Sequence, residues 1–347
     1  METCIAAGYP TVFDHNTPGA IGVGPVPLTV RDGMRQSTAL TYLAAARSRS
    51  NLTIRGGVLV DHVKCEGQRA VGVQLANPAE TIAGKRIILA AGAYGSPTIL
   101  LRSGLGPADD LRALGVTVRA DLPGVGRTLI DHPRFALDFA LRPGAHVEPT
   151  PRVQTMLTWR STRAHTDLDL HVAPLASNVA FGEQTPATGF SLLVMLTKPQ
   201  SQGHLRLRSS DPSATPRITP GYFTHPDDLP RLIEGVRMAR QLARTAPLKD
   251  LVAHESVPGE HIVDTDEALG AALRAGIGTY HHPVATCRMG PDPHTGAVVD
   301  AQGRVHGVEG LWVIDASIMP TIPAANTNLP TIMVAERCAA WFMDSSC

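Results

Sequence analysis

The residues of this chain best suited to chemistry lie in its last third, in Tyr280-His281-His282-Pro283-Val284-Ala285-Thr286-Cys287-Arg288-Met289-Gly290. Further on stands Asn326-Thr327-Asn328-Leu329-Pro330-Thr331. An imidazole titrating near neutrality is the commonest general base, and an amide can hydrogen-bond a developing oxyanion. Pro330 opens the run to Phe342 as a helix with Pro in its first turn, where a missing N–H costs nothing. That first turn carries unpaired N–H groups and partial positive charge. A base at His282, an amide at Asn328 and a helix N-terminus together suit a reaction that develops negative charge. Taken alone, a histidine is more often structural, and Asn328 would pass as a helix cap. The pattern, not the single residue, carries the expectation.

Several elements must position these groups. Gly310-Leu311-Trp312-Val313-Ile314-Asp315 reads as a buried strand ending in a polar loop. Lys85 to Ala93 is an apolar strand running into small residues, which let a ligand or helix approach closely. Ser96 is placed to cap and Pro97 to start a helix that Gly104 stops. Upstream, Arg35–Leu43 reads as a helix with Leu40 and Leu43 on one face. Asn51–Ile54, Val58–Val60 and Ala70–Leu75 read as strands. Gly19–Pro25 superficially suggests a phosphate loop, but its glycine spacing is wrong and it lacks the flanking strand and helix, so it reads as a loop. From Arg134 the texture changes. Phe135–Leu141, Thr166–Val172, Phe190–Leu196 and His204–Arg208 are strand-like, and Leu168, Leu170 and Val172 alternate onto one face. A helix then starts near Asp227 with Leu229, Leu232, Ile233, Val236 and Ala239 on one side. An antiparallel sheet backed by helices is expected there, with Ser177–Thr188 a loop.

Composition narrows the classes. The chain has 347 residues, 43% hydrophobic and 18% charged, which is globular rather than disordered. Its 31 basic and 31 acidic residues cancel, so no general attraction to nucleic acid or anionic membrane follows. No apolar run approaches the ~18 residues of a spanning helix. The N-terminus lacks the basic start and apolar core of a signal peptide. Five scattered cysteines suit reduced thiols in a cytoplasm, and the 14 histidines form no tight Cys/His cluster, so no metal site is expected.

Five stretches together resemble a known family. They are His282–Gly290, Val299–Leu311, Asn326–Thr331, Gly95–Pro107 and Leu122–Arg127 followed by Asp131-His132-Pro133. Their order and spacing are similar to those of the glucose–methanol–choline (GMC) flavoprotein oxidoreductases, as is Asp32-Gly33-Met34-Arg35-Gln36-Ser37 ahead of Tyr42-Leu43. The resemblance implies an α/β fold, α+β overall: an incomplete FAD-binding Rossmann-like domain with an inserted antiparallel-sheet substrate domain. Residues 1–133 and 276–347 would form the first and 134–275 the second. It also implies oxidation of a small-molecule alcohol by hydride transfer to FAD, with His282 as base and Asn328 on the alkoxide. FAD contacts carried over are Val60, Gly92, Ala93, Asp315, Ala316, Asn328, Pro330 and Thr331. His132 and His306 are read as structural, and Cys287 as a small buried filler. Ala285 stands where the family usually has Gly, an awkward exchange if φ is positive.

One family element is not found: the strand–G-x-G-x-x-G–helix that receives the FAD pyrophosphate. These residues alone are therefore expected to bind FAD weakly. The alternative readings are a truncated or split GMC chain without independent FAD binding, acting as a subunit or inactive remnant, and a separate chain that supplies the segment. The alcohol and the electron acceptor are not legible.

Overall fold

The computed structural model describes residues 1–147, 151, 153–166, 168–176 and 189–344; the loop expected over Ser177–Thr188 lies outside them. Its middle is a seven-stranded antiparallel sheet. The order is Gly22–Pro25, Thr155–Trp159, Leu170–Leu175, Gly189–Leu196, Pro133–Leu141 and Val252–Val257, with Gly278–Thr279 also paired to Pro133–Leu141. Period-2 alternation assigns the faces. Phe135, Leu137, Phe139, Leu170, Val172, Leu192 and Val194 meet Leu232, Ile233, Val236 and Ala239 of helix Asp228–Ala243. Each such side chain, fully buried, contributes roughly 1.5–3 kcal/mol. The opposite face carries a smaller apolar patch of Ala173, Leu193 and Met195, with half-buried Ala136, Met156 and Tyr280. Tyr280 thus joins this second face to the histidine segment.

A second core gathers Val63, Leu89, Leu100, Leu105, Val299, Leu311 and Val313. It lies under a three-stranded sheet, Leu59–Glu66, Arg69–Asn77 and Thr81–Ala83, and the parallel pair Ile87–Leu89 and Leu311–Val313. Among the described residues no helix is long and apolar enough to cross a membrane.

Four local expectations are corrected. Gly22–Pro25 is a strand, not a loop. Its glycines let the chain lie against carbonyls: a Cβ at Gly22 would stand 2.3 Å from Pro10 O and one at Gly24 2.1 Å from Val12 O. Arg35–Leu43 is not one helix. Gln36 N donates to Thr29 O at 2.8 Å, which holds Met34–Arg35 in a short hairpin, and only Ala39–Leu43 coils, as a π-helical turn. Asn51–Ile54 is irregular. The helix expected to open at Pro97 opens at Gly92 and runs to Arg102. An internal proline leaves the carbonyl four residues back without its donor. Here that carbonyl, Ala93 O, accepts from Thr286 Oγ1 at 2.6 Å. Ser96 Oγ instead accepts from Ala91 N at 3.0 Å.

Ala285 has φ +71° and is fully buried. A non-glycine residue in that region costs about 1–2 kcal/mol, and loss of one buried methyl about 0.8 kcal/mol. Ala285→Gly is therefore expected to change stability by less than about 1 kcal/mol. Ala285→Val, which adds branching and volume at the same point, should cost at least about 2 kcal/mol. Urea unfolding of both variants checks this; equal stability for the two would contradict it.

Candidate active site

His282 is held by pairing between segments 150 residues apart. Ile130 N donates to Val284 O at 3.2 Å, Val284 N to Ile130 O at 2.9 Å, and Tyr280 N to His132 O at 3.0 Å. On the far side, Cys287 N donates to Ser317 O at 2.9 Å and Met289 N to Ile318 O at 2.8 Å. Asp131 ties the arrangement together. It is buried, and its carboxylate accepts from His282 N at 2.9 Å, from the Tyr222 hydroxyl at 2.6 Å and from the Thr279 hydroxyl. Bonds to an ionised acceptor are roughly twice as strong as neutral ones. Burial, and after it the Asp131 charge, push the Tyr222 hydroxyl well above its ordinary pKa, so it stays a donor.

The backbone separates the two adjacent histidines. His281, at φ +62°, is exposed, whereas His282 is buried. The His282 ring lies edge-on to Tyr280 and to His132, with centroids at 4.4 and 5.1 Å. Its Nδ1 is 3.0 Å from His132 Nδ1, and His132 Nε2 is 3.1 Å from the Pro323 carbonyl. Its Nε2 makes no hydrogen bond among the described residues. Burial lowers the His282 pKa to about 4; Asp131 opposes the shift and His281 adds to it. Burial, then His282 and His171, drive His132 well below its ordinary value, against hydrogen bonds to the Pro323 and Thr197 carbonyls. His171, on the same sheet face, is lowered by burial to about 3. All three imidazoles are therefore neutral at pH 7, and a neutral buried imidazole with a free nitrogen is equipped to take a proton.

Asn328 is the first residue of helix Asn328–Asp344 and is exposed. It shares no hydrogen bond with His282. Asn326, two residues earlier, instead hydrogen-bonds the hydroxyl of Tyr280, whose ring lies edge-on to His282.

Gly92, Ala93, Asp315 and Ala316 do come together. They lie just past the carboxyl ends of the parallel strands Ile87–Leu89 and Leu311–Val313, the side on which parallel sheets bind ligands. The Asp315 side chain is occupied: Oδ2 accepts from Gly92 N at 2.9 Å and Ser96 Oγ at 2.5 Å, and Oδ1 from Ser317 N at 2.8 Å. It clamps the two strand ends, leaving only its backbone for a ligand. Gly92 has φ +76° and nothing within 4 Å of where a Cβ would stand. Exposed Ala90, Ala91 and Tyr94 adjoin it, and Asn328 and Leu329 begin an exposed helix turn tied by Thr331 Oγ1 to Thr327 O at 2.7 Å. Open glycine, small residues and a helix N-terminus fit a flat, anionic cofactor. Val60 lies at the other end of helix Gly92–Arg102, its carbonyl 3.4 Å from Arg102 Nη2.

Asp131, Tyr222, Thr279, Tyr280 and Asn326 were not singled out from sequence as site residues, and His132 was read as structural. The signal available for two of them was Asp131-His132, an ionisable pair inside a conspicuous motif.

Family models described as GMC oxidoreductase match residues 1–134 and 199–335. The chain is 36% identical to an oxygen-dependent choline dehydrogenase of Klebsiella pneumoniae subsp. pneumoniae, covering 98% of this chain and 66% of that protein. An Escherichia coli oxygen-dependent choline dehydrogenase is 35% identical with the same coverage. The chain thus spans about two-thirds of the length of these curated relatives. The crystal structure of pyridoxine 4-oxidase from Mesorbium loti superposes with a TM-score of 0.91 at 31% identity, over 99% of this chain and 68% of that one. A formate oxidase of Aspergillus oryzae RIB40 shares the fold, with a TM-score of 0.87 at 23% identity over 97% and 68% of the two chains. On these matches the chain belongs to the GMC oxidoreductase family.

Proposed function

We propose that this chain carries the substrate-side chemistry of a flavin-dependent alcohol oxidoreductase, taking a CH–OH group to an aldehyde or ketone. The observation that carries the reading is His282: buried, neutral, gripped at its backbone and at Nδ1, with Nε2 unengaged. His282 Nε2 accepts the hydroxyl proton of the alcohol. Asn328 is assigned to the alkoxide, and the apolar patch around Leu193, Met195 and Tyr280 to the carbon side of the substrate, where it excludes water. FAD is the cofactor of this family and, when bound, accepts the hydride from the substrate carbon.

Its seat in this reading is the surface of Gly92, Ala93 and Ala316, with the backbone of Asp315 and the turn of Asn328, Pro330 and Thr331. Val60 would meet the distal end. The positive end of helix Asn328–Asp344 favours negative charge there. We keep the division into residues 1–133 with 276–347 and 134–275. Gly22–Pro25 crosses into the second unit's sheet, and Leu205 from the second unit into the first unit's core. Free Cys4, Cys65, Cys287 and Cys338 suit a reducing compartment, so we place the protein in the cytoplasm.

The FAD-loaded protein, mixed anaerobically with choline, pyridoxine and simple primary alcohols, is expected to lose its oxidised-flavin absorbance with at least one of them. Aldehyde should form in equal amount. If dithionite bleaches the flavin but none of these alcohols does, the proposal is wrong.

A further inference from the structure

We propose that His132 is a positioning residue that locks His282 in the tautomer with its proton on Nδ1, which leaves Nε2 as the basic nitrogen. The inference rests on reading His282 as the base, and it follows from the direction of two hydrogen bonds. A carbonyl oxygen only accepts. His132 Nε2, 3.1 Å from Pro323 O, must therefore carry a hydrogen. The His132 ring is fully buried and neutral, so it holds a single N–H; the Thr197 carbonyl also draws on the ring, and with the hydrogen on Nε2 toward Pro323 O its Nδ1 bears a lone pair. That lone pair faces His282 Nδ1 at 3.0 Å. Two lone pairs at this distance repel, so His282 Nδ1 must be the donor. A neutral His282 with hydrogen on Nδ1 has its lone pair on Nε2. When Nε2 takes the substrate's hydroxyl proton, Nδ1 keeps its own and the His132 bond becomes charge-assisted, which steadies the imidazolium.

The acceptor itself is anchored. The Pro323 carbonyl adjoins Ile322, whose own carbonyl accepts from Lys198 Nζ at 2.6 Å. The Lys198 carbonyl in turn accepts from buried Arg231 at 2.9 Å. Asp131, next in sequence, fixes the His282 backbone while His132 fixes its ring. The pair does for His282 what a carboxylate does for the histidine of a hydrolase triad, with a neutral partner.

Isosteric substitutions separate this role from a merely structural one. In His132→Asn the amide oxygen falls near the former Nδ1 and still accepts from His282. In His132→Gln the amide nitrogen falls near the former Nε2, so the Pro323 bond is kept and the acceptor for His282 is lost. In FAD-loaded protein, His132→Gln is expected to lower kcat/KM at least tenfold, bounded by the ~10⁴ that a wrong tautomer costs elsewhere. His132→Asn should recover most of it, and FAD content should not change. Independently of turnover, ¹⁵N–¹H long-range spectra of histidine-labelled wild-type protein should show His282 protonated on Nδ1 alone. Wild-type His282 carrying its proton on Nε2, or His132→Gln outperforming His132→Asn, overturns the proposal. If instead His282→Ala retains full turnover, it is the base assignment that fails.

Discussion

His282→Ala is expected to lower kcat/KM of the FAD-loaded protein by about 10²–10⁴-fold, the range that a positioned general base contributes, with FAD content near normal. His282 touches the Asp131–His132 side of the site and not the Gly92–Asp315 clamp, so its loss should spare the cofactor surface. The exposed neighbour provides the control: His281→Ala should change turnover less than tenfold. The pH dependence follows from the lowered pKa. A base with a pKa of about 4 in the folded state is unprotonated above it, so activity should rise with pH through about 4 and stay flat to neutrality. An ordinary exposed imidazole would put that limb near 6.5. A limb at 6.5, or a His281 variant as damaged as the His282 variant, would remove His282 from its role.

Arg231→Ala is expected to destabilise the protein by about 3–5 kcal/mol, the cost of stripping one partner from a buried ion pair. Arg231 is completely buried. Its Nε donates to Asp169 Oδ2 at 2.7 Å, its Nη1 to Asp228 Oδ1 at 3.2 Å and its Nη2 to Lys198 O at 2.9 Å. Both carboxylates are buried and hold other groups: Asp169 takes Ser161 N at 2.7 Å, and Asp228 takes Ser201 N at 2.8 Å. Alanine leaves two charges with no cation, held only by backbone amides and the Ser161 hydroxyl. Against a total of about 5–15 kcal/mol for a folded protein, the loss is a large share. Since the Lys198 carbonyl leads on to Ile322 and Pro323, the same variant should also loosen His132. Denaturant unfolding measures the first effect, and Arg231→Leu combined with Asp169→Asn should recover part of it. A loss below about 1 kcal/mol would mean that water reaches the carboxylates and the pair is not truly buried.

What could be read from the sequence was whatever is local. The alternation of Phe135–Leu141 and the stripe of Leu232, Ile233 and Val236 mark their faces because burial imposes the period on a short window. The strand-to-small-residue run at Leu89–Ala93 likewise marked a strand end with open space beside it. Much of what escaped such reading is long-range. Pro97 looks like a helix start unless Thr286, far along the chain, is known to supply the missing donor. Asp315 looks like a ligand contact unless Gly92 and Ser96 are known to claim its oxygens. The partner of His132 is 150 positions away, beyond any local window. Family motifs pointed to a candidate site, but only the folded chain separates a side chain open to a ligand from one that holds the frame.

The sheet that recruits residues from both ends of the chain has a consequence for synthesis. Gly22–Pro25, made early, stays unpaired until Thr155–Trp159 emerges, and Pro133 waits for Thr279. Closing loops of this length costs entropy before any contact repays it, which slows formation of such sheets. Asp131 and His132 leave the ribosome long before the histidine they grip. Until Thr279 and His282 arrive, the Leu193–Met195 face has no Tyr280 against it and lies open to unwanted association. His282 is thus among the last groups to be seated, and a nascent chain halted in its middle third exposes the Leu193–Met195 face without it.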